Sequence, residues 1–534
     1  MLSRSRGAGI RACLLVFSSF FLFAATDYNA EGDRWWAHIK YLASDDLEGR
    51  NTGTEGHRKA AAYIAGEFER SGLKPAGTSG YMQPMKFNVS QIDESQSSLS
   101  LVRNGKAEPL KLGTDAVFSL RGDTSSHTEA QAVFIGYGLK IPEKNYDDLA
   151  GVDLKGKIAV MLSGGPSSIP GPLKSHYSSA GEHWKQLLAA GAIGIATIPN
   201  PKSMDVPWAR SSLARLQPSM GLADPDLSET GGMKINITIN PEHADKLFAG
   251  SNHTIAEILA AADGDKPLPK FPLTATIRAD VKLTKSQVES QNVAGMLPGN
   301  DPKLKNEYVV LTAHLDHLGV GQPINGDKIY NGAMDDASGI ASILEVARMV
   351  KDSHASLRRS LIFLAVTGEE KGLQGSKYFA AHPTVDAKQI VADINLDMFL
   401  PLHKLEYLEI QGLAESSLGD DIRAVAEKAG VQIQSDKEPQ RNLFIRSDQY
   451  SFIKIGVPAL AFKFGYLAGS PEEKLHKDWL KFRYHAPSDD LQQPVDKAAA
   501  AKFNRIILDL VERVANAPER PQWKPDSFFR RFAG

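Results

Sequence analysis

From Asn292 onward the chain alternates short apolar runs with amphipathic stretches. Runs at Tyr308 to Ala313, Leu361 to Thr367, Ile390 to Leu396 and Ala459 to Phe464 are interleaved with helical spacing, notably at Ile340 to Val350 and Leu418 to Ala429. Runs this continuous are buried on both sides, so the alternation predicts an α/β fold: a mostly parallel, twisted sheet with helices on both faces. Nearer the start, Trp35, Ile39 and Leu42 share one helical face, and Ala60, Tyr63, Ile64 and Phe68 share another. A loop punctuated by Gly49, Gly53 and Gly56 separates them. From about Phe87 to Ile277 the texture changes to short β-type runs such as Ala132 to Ile135, Lys157 to Leu162 and Ile193 to Ile198, with a helix over His183 to Ala190. That stretch predicts an inserted, smaller, β-rich α/β domain. The expected division is a targeting segment over 1–25, the first part of the main domain over 26–125, the insertion over 126–275, the second part over 276–515 and a tail over 516–534. Pro518, Pro521 and Pro525 make that tail an extended appendage.

A length of 534 residues exceeds what one hydrophobic core supports, which agrees with more than one domain. The 61 Lys and Arg nearly balance 63 Asp and Glu, so no broad basic face exists and nucleic-acid binding is excluded as a leading class. Arg4, Arg6 and Arg11 precede an apolar run from Ala12 to Ala25, then Thr26 and Asp27, the order of a secretory signal peptide. The run falls short of the about 20 residues that span a bilayer, so the expectation is export to the periplasm or beyond, with no stable membrane insertion after cleavage. Cys13 is the only cysteine and lies in this segment, so a mature chain would have no disulfide, thiolate ligand or cysteine nucleophile. No Gly-x-Ser-x-Gly elbow argues for serine hydrolysis.

Ligands of open α/β sheets bind beyond the carboxyl ends of the strands, so the residues following each apolar run carry the chemistry. These are His314, Asp316 and His317, then Asp335 and Asp336 before a helix, then Glu369 and Glu370, then Asp397. Taken singly, an Asp before a helix is a cap and paired glutamates are a solvated face. Their joint delivery to one sheet edge is what points to a metal site. In extended backbone His314 and Asp316 face the same side, so the Asp316 carboxylate is expected to accept a hydrogen bond from one imidazole nitrogen while the other meets metal. One of Glu369 and Glu370 can bind metal while the other shuttles a proton. His485, in a loop with Pro487, is the best further ligand.

The segments 314–319 (HLDHLG), 331–339 (NGAMDDASG), 368–376 (GEEKGLQGS), 395–398 (NLDM) and 484–489 (YHAPSD) together resemble the ordered motifs of the co-catalytic di-zinc exopeptidases, which include secreted bacterial aminopeptidases and the glutamate carboxypeptidase group. The loop 47–50 (LEGR) and the segment 292–299 (NVAGMLPG) are similar to the same family. Gly136-Tyr137-Gly138, the segment 153–157 (DLKGK) and the segment 189–192 (AAGA) resemble the protease-associated domain that such enzymes often carry.

The resemblance implies two zinc ions, bridged by Asp335, with His314 and Asp397 completing one site and Glu370 and His485 the other. It implies Glu369 as general base, Asp316 as the orienter of His314, and Tyr484 as a donor to the developing oxyanion. Gln449 stands where the family usually has His, which bears on substrate contacts and makes glutaminyl cyclisation a poorer fit. The implied activity is removal of residues from peptide ends, with aminopeptidase favoured by the overall likeness. A carboxypeptidase, a deacylase of non-peptide amides, and a non-catalytic receptor-like binding protein stay open as alternatives. Side-chain preference and oligomeric state are not readable.

Overall fold

The computed structural model describes residues 27–533 other than 205, 354, 355 and 442. The expected signal segment, with Cys13, lies outside the described residues. No described helix is long and apolar enough to cross a membrane.

The main sheet has ten strands. Its centre is parallel: Ser360–Val366, Tyr308–His314, Ile390–Asn395 and Ala459–Gly465 lie side by side in that order. Each of these strands begins and ends within one residue of the predicted apolar run. Antiparallel strands extend both sides, with Leu283–Leu297, Met82–Ile92 and Ser219–Leu222 on one and Tyr407–Gln411 on the other. Alternation along the strands feeds two cores. Val309, Leu311 and Phe363 pack with Trp35, Ile64, Phe68 and Phe503 on one face, while Val310, Ile362 and Leu364 pack with Phe379 and Phe452 on the other. The helices Tyr28–Leu42, Glu55–Arg70, Ser338–Ser353 and Lys497–Asn516 cover the first face. Trp35 ties two of them, its Nε1 donating to Ser338 O at 3.1 Å and Ser342 Oγ at 3.0 Å.

A second sheet of eight strands has its own buried cluster around Phe134, Val160, Ile237 and Ile277. Its pairing runs past both expected edges, 126 and 275. Strands between 98 and 118 belong to it, and Lys270–Asp280 leads into the main sheet's Leu283–Leu297 through residues 281 and 282. Ser219–Leu222 leaves this region and pairs with Met82–Ile92 of the main sheet. The early strands join the second sheet because Leu99 and Leu101 point inward and pair with Ala279 and Ile277 of Lys270–Asp280, a long-range contact that local patterning does not reveal.

The tail is not an extended appendage. Trp523 and Phe529 are buried with Ile445, Ile453 and Ala459, and Trp523 Nε1 donates to Gly456 O at 2.8 Å. Phe528 and Phe532 flank His176 of the second region, and Arg531 pairs with Glu143. The prolines set the tail's direction, but its aromatic residues bury enough apolar surface to hold it down.

Candidate metal centre

Three adjacent parallel strands of the main sheet end together. His314 is the last residue of its strand, Glu369 and Glu370 sit in the turn after Ser360–Val366, and Asp397 follows Ile390–Asn395. Asp335 arrives from the loop before helix Ser338–Ser353, and His485 from the loop after helix Pro471–Phe482.

Asp335 lies at the middle of the group. Its Oδ1 is 3.1 Å from His314 Nε2, which is 3.6 Å from Asp397 Oδ1. Its Oδ2 is 3.3 Å from His485 Nε2, which is also 3.3 Å from Glu370 Oε2. All five expected ligand residues therefore converge. A sixth residue joins them: His317 Nδ1 lies 2.9 Å from Glu370 Oε1 and 3.8 Å from Asp335 Oδ2.

Several of these buried atoms, namely Asp335 Oδ2, Glu370 Oε1, Asp397 Oδ1 and the ring nitrogens of His317, have no hydrogen-bond partner. Buried polar atoms left unpaired are costly, and here they face one another across a few ångströms. His, Asp and Glu donors in this arrangement fit borderline-hard divalent cations, and two donor sets within the group lie close enough to hold an ion each.

The surrounding loops fix these side chains. The Arg50 guanidinium is buried and donates to the carbonyls of Leu315 (2.9 Å), Asn331 (2.7 Å), Gly332 (3.0 Å) and Leu42, clamping the loops that carry His314 and Asp335. Asp489 accepts from the backbone N–H groups of Met334 at 2.9 Å and Asp335 at 3.0 Å. Asp336 caps the following helix by accepting from Gly339 N at 2.9 Å. Behind the Glu369–Glu370 turn, His57 Nε2 meets Thr367 Oγ1 at 2.9 Å, and Thr367 N donates to Asn292 Oδ1 at 3.0 Å. His485 has a left-handed φ of 54°, uncommon for a non-glycine residue.

One expected contact is different. His314 Nδ1 bonds the backbone carbonyl of Asp316 at 2.9 Å, not its carboxylate. The strand ends at His314, so the extended geometry that would align the two side chains is lost. The Asp316 carboxylate instead accepts from Thr52 Oγ1 at 3.0 Å and from Glu369 N at 3.0 Å. It thereby positions Glu369, while its main chain orients His314.

Charge crowding sets the protonation landscape. Burial, reinforced by Glu370, Asp397 and Asp448, pushes the Glu369 carboxyl well above its usual range despite nearby His314. Burial acts the same way on Glu370, but His485 and His317 outweigh it and hold that carboxyl well below its usual range. His485, though buried, is pushed up to about 10 by Glu370 and Asp335.

A cleft of about 1210 Å³ opens beside the group, bordered by Glu369, Glu370, Tyr484 and His485. Its opposite wall comes from the second region through Arg121 and Glu229. Arg121 faces Glu369 and Glu370 and lies over Gly372, where an added Cβ would sit 3.0 Å from its Nη1. Glu229 bonds Lys377 at 2.6 Å and Lys454 at 2.7 Å, joining that wall to the main sheet's helices. The Tyr484 ring packs against His485 at a tilt of 36°, with ring centroids 4.0 Å apart. Gln449 is turned inward, accepting from Asn395 Nδ2 at 2.7 Å and donating to Phe444 O at 3.0 Å.

Sequence reasoning did not assign His317, Arg50, Asp489 or Arg121. His317 carried a signal, as a second histidine three residues past the first. Arg50 and Asp489 lay inside motifs noted for their likeness alone, and Arg121 has no local signature at all.

Residues 292–511 match the model of Peptidase family M28. A protein of Aspergillus oryzae named probable leucine aminopeptidase 2 is 28% identical over 208 residues, 38% of this chain and 39% of the relative. Carboxypeptidase Q of Xenopus laevis is 30% identical over 116 residues, 21% of this chain and 22% of the relative. The matches thus span well under half the length of these relatives. The solved aminopeptidase from Aneurinibacillus sp. strain AM-1 aligns with a TM-score of 0.55 at 21% identity, covering 93% of this chain and 97% of that one, a likeness of fold.

Proposed function

Since residues 292–511 match the model of Peptidase family M28, we propose that the protein is a zinc-dependent exopeptidase, an aminopeptidase that releases residues from the amino termini of peptides. The observation that carries this reading is Asp335, whose two oxygens each face a separate set of donors: His314 and Asp397 on one side, Glu370 and His485 on the other. The name of the Aspergillus oryzae relative, probable leucine aminopeptidase 2, supports the aminopeptidase direction, and that of a Pyrenophora tritici-repentis relative, probable zinc metalloprotease, supports zinc.

When bound, two zinc ions supply Lewis acidity toward the scissile carbonyl and the attacking water. The chain's own groups do the rest. Glu369, fixed through its backbone N–H by Asp316, accepts a proton from water as the new C–O bond forms and returns it to the amine as the C–N bond breaks. The Tyr484 hydroxyl, bordering the cleft beside Glu369 and Glu370, donates to the carbonyl oxygen as it gains charge. Arg121 and the cleft wall exclude bulk water and hold the peptide. The unit expected over 126–275, read as a protease-associated-like insertion, supplies Glu229 of that wall, and Arg121 comes from the segment just before it. The pattern of residues 1–25 supports export, so the peptidase works in the periplasm or outside the cell.

Glu369→Gln should lower kcat by about 10²- to 10⁴-fold while the metal content stays unchanged. Full activity in that variant would overturn the role given to Glu369. Free peptides should be cleaved and amino-terminally acetylated ones spared. Release from the carboxyl end instead would assign the carboxypeptidase alternative.

A further inference from the structure

We infer that His317 is a fourth protein donor to the Glu370–His485 half of the centre, which makes the two halves unequal. The inference rests on the reading of this cluster as a metal centre, and it gives a role to a residue that the bridging scheme does not use.

Three observations carry it. First, His317 is fully buried, and its ring packs so closely on Gly332 that a Cβ there would come within 2.5 Å of its Cγ, so the imidazole cannot swing out to solvent. Second, neither ring nitrogen has a hydrogen-bond partner, and the two carboxylate oxygens nearest Nδ1, Glu370 Oε1 and Asp335 Oδ2, lack partners as well. Nδ1 stands 2.9 Å from Glu370 Oε1 without forming a hydrogen bond to it. Close, misaligned and unpaired donors are what atoms converging on a shared third body look like.

Third, the spacing is right. Donors held about 2.0–2.1 Å from one tetrahedral zinc lie roughly 3.4 Å from each other. In this half His317 Nδ1 lies 2.9 Å from Glu370 Oε1 and 3.8 Å from Asp335 Oδ2, and these three residues form one compact donor group. His485 Nε2 lies 3.3 Å from Asp335 Oδ2 and 3.3 Å from the other Glu370 oxygen, Oε2, so Glu370 faces the two histidines with one oxygen each. In the other half His314 Nε2 meets Asp335 and Asp397, and its Nδ1 is taken up by the bond to Asp316 O. Three protein donors leave a position free for substrate, whereas four close it. The His314–Asp397 half is therefore where the substrate carbonyl binds, and the Glu370–His485 half holds its ion more firmly.

The test uses the full chain stripped by chelator and titrated with zinc alone against a chromophoric competitor. Wild type should bind two ions in separable steps. His317→Ala should weaken the tighter step at least tenfold and leave the other unchanged, with near-ultraviolet circular dichroism confirming the fold. His317→Gln keeps a side chain able to hydrogen-bond Glu370, so recovery of the tight step in that variant would reduce His317 to a hydrogen-bonding role and overturn the inference. X-ray absorption of the loaded protein should count three histidines per two zinc ions, and a count of two would also overturn it. Two ions bound equally tightly by wild type and His317→Ala would sink this inference alone. Wild type binding no zinc would sink the metal centre itself.

Discussion

The two walls of the cleft are built differently. On one side His314, Glu369, Glu370 and Asp397 hang from the ends of three adjacent parallel strands and are locked by buried polar bonds from Arg50, Asp489, Asp316 and His57. On the other, Arg121 and Glu229 stand on irregular segments that lead into strands of the second sheet, and surface ion pairs of Glu229 with Lys377 and Lys454 fasten that wall. Groups that must keep their spacing to a few tenths of an ångström sit on the rigid side, while the side proposed to meet the peptide is the adjustable one.

The sharpest way to break the contrast is Arg50→Met. Losing the guanidinium leaves the carbonyls of Leu315, Asn331 and Gly332 buried and unpaired, a cost on the order of 3–5 kcal/mol. Chemical denaturation should report that loss together with weaker metal binding.

Acid should separate the two sides next. Burial, with help from Arg50 and Arg58, lowers His57 to about 3, so it stays neutral in the fold but protonates in the unfolded chain below about 6.5. The unfolded state then binds more protons, and stability falls as pH drops from about 6.5 toward 3, by up to about 4–5 kcal/mol. Glu229 behaves as a depressed carboxylate: burial raises it, but Lys377 and Lys454 pull it down to about 2. Its contribution is complete above about 4.5 and is lost as pH falls from there toward 2. Thermal melts across pH should weaken from about 6.5 downward, and His57→Gln should flatten the upper part of that slope. The smallest effect belongs to the adjustable wall. Arg121→Gln should raise KM by roughly fivefold, equivalent to about 1 kcal/mol, with kcat and metal content unchanged.

The same contrast explains what could be read from the sequence. The parallel strands announce themselves as continuous apolar runs, and candidate chemistry at their carboxyl ends follows by rule, so the five converging candidate ligands were legible from spacing and motif. The antiparallel flanks, the early strands of the second sheet and the docked tail depend on contacts between residues such as Leu101 and Ile277, or Phe529 and Ile453, which no local period encodes. Asp316 shows a finer limit. The direction of its carboxylate turned on where the strand stops, and a shift at that boundary moved its partner from His314 to Thr52 and Glu369 N.

Elemental analysis of the zinc-saturated chain beside its Asp335→Ala variant tests the account most directly. Because Asp335 faces both donor sets, wild type should saturate at two zinc ions per chain and the variant should fall far below that in both steps. Saturation of wild type at one ion or none, or two ions kept by Asp335→Ala, would contradict it.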